Sequence, residues 1–510
     1  MRMPTTNSFC SLLLALLLIG CTSRSSKDMN MSDALPAIYP DYIGVTVPID
    51  IAPLCFAMAN DSATQLCVEV KGSRSGTIRA SGTFADFDID EWHRLLRQNL
   101  GDSLLFTVSA EQDGQWTQYQ PFPVYVSSDS LSDWGITYRR IAPGFEMYGH
   151  MGIYQRQLAT FTETSLFDNS DMPGTCINCH TSNRGNTAQA VFHVRGENGA
   201  TAMKVDGGKK MVDGGGLKVD GDGWELLKAR NDSLGGSMVY PAWHPEGRYC
   251  AFSTNKTSQM FHTASNKRVE VYDSSSDVFV YDSQTHNILR DTIIMRKYWA
   301  ENCPSFSPDG QWLYFTTARR QVYPTDYDKE RYSLCRVAFD AATGRLGTQV
   351  DTLVNTRLTG KSVSWARPSR NGRYIIYPQA DYGYFTIWHS EADLWLLDMV
   401  TGLSRPLDEV NSSRAESFPA WSSDTSGWFL FTSRRDDGLY SRLYLSHLDT
   451  LGRATKPFML PQRDPKRYYL LLPYSYNTPD FISLPIPTNN ESLKSGLRSS
   501  QRTETKVVQP

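Results

Sequence analysis

Cys303-Pro304-Ser305-Phe306-Ser307-Pro308-Asp309-Gly310, followed by the apolar run Gln311 to Thr317, organises the chain because close copies of it return. Tyr240-Pro241-Ala242-Trp243-His244-Pro245-Glu246-Gly247 precedes Arg248 to Thr254. Val363-Ser364-Trp365-Ala366-Arg367-Pro368 leads to Gly372 and then Arg373 to Tyr377. Phe418-Pro419-Ala420-Trp421-Ser422-Ser423-Asp424 leads to Gly427 and then Trp428 to Ser433. The turn glycines stand roughly 60 residues apart, and repeats near this period with four short strands each are the sign of a propeller. In each copy a short strand ends at an aromatic side chain, a Pro-Asp-Gly type of turn reverses it, and an apolar strand such as Trp312 to Phe315 follows. A third strand, such as Asp393 to Asp398, runs to Thr401-Gly402. One such unit cannot cover its own faces, so neighbours must stack.

The four clear copies span roughly 237 to 465, and the strand groups at 136 to 167 and 188 to 232 raise the expected count to about six blades. Ile136 to Arg140, Gly152 to Arg156 and Phe161 to Thr164 read as strands. Val191 to Arg195 and Ala200 to Val205 read as a hairpin around Glu197-Asn198-Gly199. The expectation is an all-β protein with the propeller over 188–487 and its first blade strands within 134–187. Upstream, 39–130 reads as a small β-rich, sandwich-like domain, with strands at 45–48, 66–70, 104–108 and 122–126. A helix from Asp90 to Leu100 is expected in it, capped by Asp88 or Asp90 and stopped by Gly101. The segment from Tyr468 to Pro487 is apolar enough to pack back on the propeller or close it, whereas the polar residues 488–510 read as a disordered tail.

Between the first strand groups lies Cys176-Ile177-Asn178-Cys179-His180. CxxCH is the attachment signature of a c-type haem: two thiols add to the porphyrin vinyl groups and the imidazole takes the proximal iron position. The assignment is therefore one haem c, held covalently by Cys176 and Cys179 with His180 on the iron. A structural or redox CxxC is the alternative, but no second CxxC completes a zinc site and a βαβ context for a redox dithiol is missing. The surrounding Asp, Asn, Pro and Gly show no periodicity, so the motif reads as a loop inserted on a β scaffold. His193 ranks first as sixth iron ligand, beside Met172, His150, Met147, Met151, His244 or an open position.

The N-terminus has Arg2, an apolar run from Cys10 to Gly20, and Leu18-Ile19-Gly20-Cys21. It resembles a bacterial lipoprotein signal, which implies removal of residues 1–20, an acyl anchor on Cys21 and a tether over 21–38. That resemblance implies a membrane-anchored body on the periplasmic side or at the cell surface, with the outer membrane favoured. A formal net charge of -3 gives no electrostatic case for nucleic acid. Cys55 and Cys67 read either as a disulfide or as two buried thiols. Val-Asp-Gly recurs at Val205, Val212 and Val219 as turns, and a calcium site at Asp220 and Asp222 would lack spaced oxygen ligands.

The repeat resembles the TolB-like, or WD40-like, propeller repeats of bacterial periplasmic proteins, whose consensus runs through Trp-Ser-Pro-Asp-Gly. Its combination with CxxCH is similar to lipoprotein c-type cytochromes of Bacteroidetes-type bacteria and, more distantly, to the hydrazine synthase alpha subunit. That resemblance implies a lipid-anchored monohaem cytochrome that passes electrons to a redox partner protein, with the propeller as docking scaffold. The alternatives are a haem-dependent oxidoreductase acting on a small molecule and a TolB-like binding or scaffold lipoprotein. One CxxCH without a second centre argues against multi-electron chemistry, and the absence of GxSxG argues against a hydrolase.

Overall fold

The computed structural model describes residues 29–142, 149–205, 223–228, 230–231, 234–261, 269–472, 474–487 and 491–509. The expectations for residues 1–20, Cys21, Met147, Asp220 and Asp222, and for the turns at Val212 and Val219, lie outside them. The chain forms two compact units: residues up to Ser127 with Pro461–Tyr468, and Ser128–Leu460 with Tyr469–Pro510.

The first unit is built on a seven-stranded sheet in which Ala63–Gly72 pairs with both Thr77–Gly82 and Ser103–Gln112. Helix Ile89–Gln98 starts at Asp88, whose carboxylate accepts from the backbone N–H groups of Asp90 and Glu91, donors that a helix start leaves free. The helix buries Trp92, Leu95 and Leu96. Trp92 stacks on Phe87 at 5.9 Å. Cys55 is a free, buried thiol, so it is not bridged to Cys67.

The second unit is a six-bladed β-propeller. Blade 1 contains Gly135–Ile141, Met151–Gln157 and Glu163–Asp168, and its innermost strand is Ser475–Ile482 from the far end of the chain. That antiparallel pairing closes the ring, as the apolar run near the C-terminus led us to expect. Blade 2 runs from the inside out as Cys176–Asn183, Asn186–Arg195, Ala200–Lys204 and Trp224–Lys228. Blades 3 to 6 begin with the inner strands Val239–Trp243, Trp299–Phe306, the broken pair Ser362–Val363 and Arg367–Pro368, and Glu416–Trp421. Blade 3 is the long one: its hairpin Tyr249–Phe261 and Val269–Asp282 reaches past the sheet to blades 4 and 5. There Tyr272 stacks on Tyr323 at 4.7 Å and Glu270 accepts a 2.5 Å hydrogen bond from Tyr382.

Two sequence expectations need correction. CxxCH is not an inserted loop: it lies within the innermost strand of blade 2, where Cys176, Ile177 and Asn178 pair with Arg195, Val194 and His193 and the ladder resumes at Thr181. The tail is not disordered over its described part either. It carries helix Glu491–Arg498 and strand Lys506–Val508, which adds in parallel to the outer strand Asn287–Leu289 of blade 3. The composition is polar on average, but Leu493 and Leu497 are four residues apart, so one helical face is apolar. Both are buried against Phe167 of blade 1 and Ile177, Phe192 and Trp224 of blade 2. The segment therefore covers the seam between these blades and an open sheet edge of a third.

Truncating Leu497 should leave a cavity at this seam. Leu497→Ala is expected to lower unfolding stability by about 2–5 kcal/mol, measured by urea denaturation, and a change under 0.5 kcal/mol would contradict the packing described.

Candidate functional site

Each of the six innermost strands breaks its extended run at one residue. Cys179, Tyr240, Cys303, Trp365, Phe418 and Thr478 have φ of 54°, 52°, 49°, 46°, 50° and 46°, the left-handed region that non-glycine residues rarely occupy. The pairing register slips at this point, as between Asn178 and Thr181, Val239 and Ala242, Asn302 and Ser305, and Ser417 and Ala420. A bulge of this kind re-aims a side chain. Here it turns one side chain per blade towards the propeller axis. Cys179, Tyr240, Cys303, Trp365 and Phe418 share one buried cluster with Tyr332, Tyr384 and Ile387. Tyr240 meets Trp365 edge-on at 4.8 Å, and Trp365 meets Phe418 at 5.0 Å. This aromatic plug divides the central channel.

On one side of the plug is a mouth, a cavity of about 140 Å³ lined by all six blades. Its wall is made by the residues that follow each bulge, among them Ser182 and Arg184, Trp243, Phe306, Arg367 and Arg370, Trp421, and Asp480. Burial pulls the guanidinium pKa values of Arg367 and Arg370 down, and Asp480 offsets this in part. Burial pushes the Asp480 carboxyl up, opposed by donors from Ser182 N at 3.0 Å and Thr181 Oγ1 at 2.9 Å. The Trp243 indole N–H and the Thr478 hydroxyl are buried without a hydrogen-bond partner.

On the other side the long hairpin of blade 3 brings carboxylates under cover. Asp273 accepts from Thr257 Oγ1 at 2.7 Å and Asn302 Nδ2 at 3.2 Å, and burial raises its pKa to about 6. Burial lifts Glu330 to about 8, and its Oε1 has no hydrogen-bond partner in the protein. Glu301 rises to about 7 through burial, against the pull of Arg296 at 2.8 Å.

The residues proposed for a haem are distributed as this blade geometry requires. Cys179 is one of the plug side chains. Cys176 pairs across the ladder with Arg195 and lies 3.8 Å from Arg139 Nη2. His180 takes the place held by Pro241, Pro304, Ala366, Pro419 and Pro479 in the other strands. It lines the mouth and also an apolar seam between blades 1 and 2, beside Phe167, Phe192 and Leu493. Both its ring nitrogens are buried without partners, and burial lowers its pKa to about 4. His193 pairs with Asn178 and Thr201, and its Nδ1 bonds Thr201 Oγ1 at 3.0 Å. It therefore shares the face of Val191 and Met203, which pack on blade 3, whereas Phe192 and the seam beside His180 face blade 1. His180 and His193 stand on opposite sides of one sheet and are not brought together.

The other ligand candidates are engaged elsewhere. His244 donates from Nε2 to Gly310 O at 3.1 Å and accepts at Nδ1 from Glu246 N at 3.2 Å. His150 faces Asp168 at 3.1 Å, Met151 lies 3.1 Å from Arg139 Nη2, and Met172 is packed in the blade 1–2 core. The seam cavity beside His180 measures about 30 Å³. Pockets for drug-sized ligands run to about 300–1,000 Å³. Neither the seam nor the mouth fits a porphyrin. Among the described residues no group of three or more His, Cys, Asp or Glu is placed to hold a metal ion.

No family model and no curated protein matches this sequence. Among solved structures, the chain is similar to TolB from Acinetobacter baumannii, at 13% identity over 78% of this chain and 85% of that one, with a TM-score of 0.43. A GH74 enzyme from Niastella koreensis matches at 9% identity over 65% of this chain and 46% of the other, with a TM-score of 0.38. A quinonprotein alcohol dehydrogenase-like protein from Bacteroides thetaiotaomicron matches at 8% over 84% and 97%, with a TM-score of 0.28. The blade count and the closure rest on the strand pairing itself.

Two outcomes follow from this geometry. Cys179→Val places a β-branched side chain at positive φ and should cost about 1–3 kcal/mol, whereas Cys176→Val, on extended backbone, should leave the urea midpoint near wild type. Equal effects at the two positions would contradict the bulge. Glu330 has a folded pKa raised to about 8, so the folded state holds its proton more tightly than the unfolded chain does. Its contribution is favourable at low pH and is lost as pH rises from about 4.5 to 8. Glu330→Gln should flatten the fall in unfolding free energy between pH 5 and 8, and an unchanged slope would refute the shift.

Proposed function

We propose that this protein is a binding propeller, a scaffold that seats a ligand or a segment of a partner in the mouth of its channel. The observation that carries this reading is the mouth itself: a cavity on the axis to which every blade contributes, walled by half-buried arginines and by buried polar groups without partners. Such a combination of enclosure, aromatic floor and unsatisfied donors is what a recognition site requires. The lipid anchor expected at Cys21 belongs to the same reading, as the tether that holds the scaffold at a membrane. The covalent haem suggested by CxxCH is the lesser reading, because the bulge position accounts for Cys179 and His180 without a cofactor and the cavities beside them are small.

Two measurements test it. Ala242→Trp should fill the mouth. In a thermal-shift screen of small molecules and short peptides, ligands present at about 100 Kd should add about 2.7 kcal/mol of stability to the wild type and none to this variant. The reading falls if every hit survives the substitution. After co-production with a c-type haem maturation system, the denatured protein should show no haem absorbance. Covalent haem lost in Cys176→Ala and Cys179→Ala would replace the binding reading with the cytochrome.

A further inference from the structure

Three arginines, Arg184 of blade 2 and Arg367 and Arg370 of blade 5, line the mouth, and Asp480 is the one carboxylate in its wall. They act on one another across the channel. The guanidinium of Arg367 feels Cys303 of blade 4 and Asp480 of blade 1, and that of Arg370 feels Asp480 and Arg184 and, more weakly, Asp133 and Asp424 behind the wall. Among the described residues none of the three is in an ion pair. Arg370 donates from Nε to Ser422 O at 2.9 Å, and Arg367 from Nη1 to its neighbour Ala366 O at 3.3 Å. Asp480 is already committed to Ser182 and Thr181. All three are half-buried, and a guanidinium drawn partly out of water is normally met by an anion at ion-pair distance.

We propose that the mouth binds an oxyanion, a carboxylate or phosphate group carried by a ligand, seated between Arg367, Arg370 and Arg184. The inference rests on the binding reading above and gives it a ligand class. The planar guanidinium fork matches either anion. The indole N–H of Trp243 and the hydroxyl of Thr478, both buried at the same wall without partners, are further donors for its oxygens. The cavity of about 140 Å³ holds more than a water and less than a cofactor. Tyr240, Trp365 and Phe418 give it an apolar floor for whatever carries the anion. The ligand is therefore a small anion or the anionic end of a longer chain with a compact apolar neighbour.

The test uses the full chain at low ionic strength, with binding followed by titration calorimetry and by the fluorescence of Trp243 and Trp421. The probes are inorganic phosphate, N-acetylphenylalanine, and its neutral amide. Expected is binding of one or both anions, with the neutral amide at least tenfold weaker and with anion affinity falling as salt is raised. Binding of phosphate alone assigns a phosphate ligand, and binding of N-acetylphenylalanine alone assigns a carboxylate. Arg367→Gln should weaken the anion at least tenfold. Asp480→Asn keeps an acceptor for Ser182 and removes the competing charge, so it should tighten the anion several-fold. Should the arginine variant not fold, the Asp480→Asn and salt results decide. Equal affinity for acid and amide would overturn the oxyanion while leaving the mouth as a binding site. No binding of any probe, or unchanged anion affinity in a folded Arg367→Gln protein, would also overturn it. The Ala242→Trp screen judges the binding reading separately.

Discussion

One backbone constraint shapes the centre of the propeller. An inner strand that stayed extended would send successive side chains alternately into the two neighbouring blades and none towards the axis. The single left-handed residue in each inner strand breaks that alternation. It turns Cys179, Tyr240, Cys303, Trp365 and Phe418 into a common plug, and it aims the residues after it at the mouth. The plug repays the strain of six unfavourable φ values with buried aromatic contact. Channel, mouth and covered end all follow from it.

The propeller was legible because its repeat is a turn chemistry: a turn glycine with an aromatic residue a few positions before it returns in all four copies, although Pro-Asp-Gly itself stands in full only at Pro308-Asp309-Gly310. Four copies could be aligned by eye. The fifth was present but spelled differently. Asn178-Cys179-His180-Thr181 matches Asn302-Cys303-Pro304-Ser305 position for position, and Gly185 lies roughly 60 residues before Gly247, one repeat period. A histidine where the other strands carry proline or alanine completes CxxCH, so this copy of the repeat also spells a haem signature. Thr478-Pro479-Asp480-Phe481 is the sixth copy, separated from its blade by the whole ring. The mouth arginines were not legible at all: Arg184, Arg367 and Arg370 are distant in sequence, and only ring closure brings them to one cavity.

The two ends of the channel differ in charge. Beyond the plug, Asp273, Glu301 and Glu330 are held where burial favours their neutral forms. At the mouth the excess is cationic, because arginine stays charged even when burial pulls its pKa down. The plug residues between them carry no formal charge. Each side carries both signs, Arg296 and Arg195 beside the acids and Asp480 among the mouth arginines, and it is the balance between them that differs across the plug.

The joining of blade 1 by Ser475–Ile482 sets the order in which this chain can become a folded object. Gly135 pairs with Ile482, so one blade is assembled from segments roughly 340 residues apart, a very long loop to close. Until the last segment arrives, Gly135–Ile141 presents a bare row of peptide groups, the kind of edge that recruits strands from other molecules. A chain emerging from a ribosome or a translocation pore therefore spends nearly its whole synthesis as an open arc, with that edge unpaired until the last segment is made.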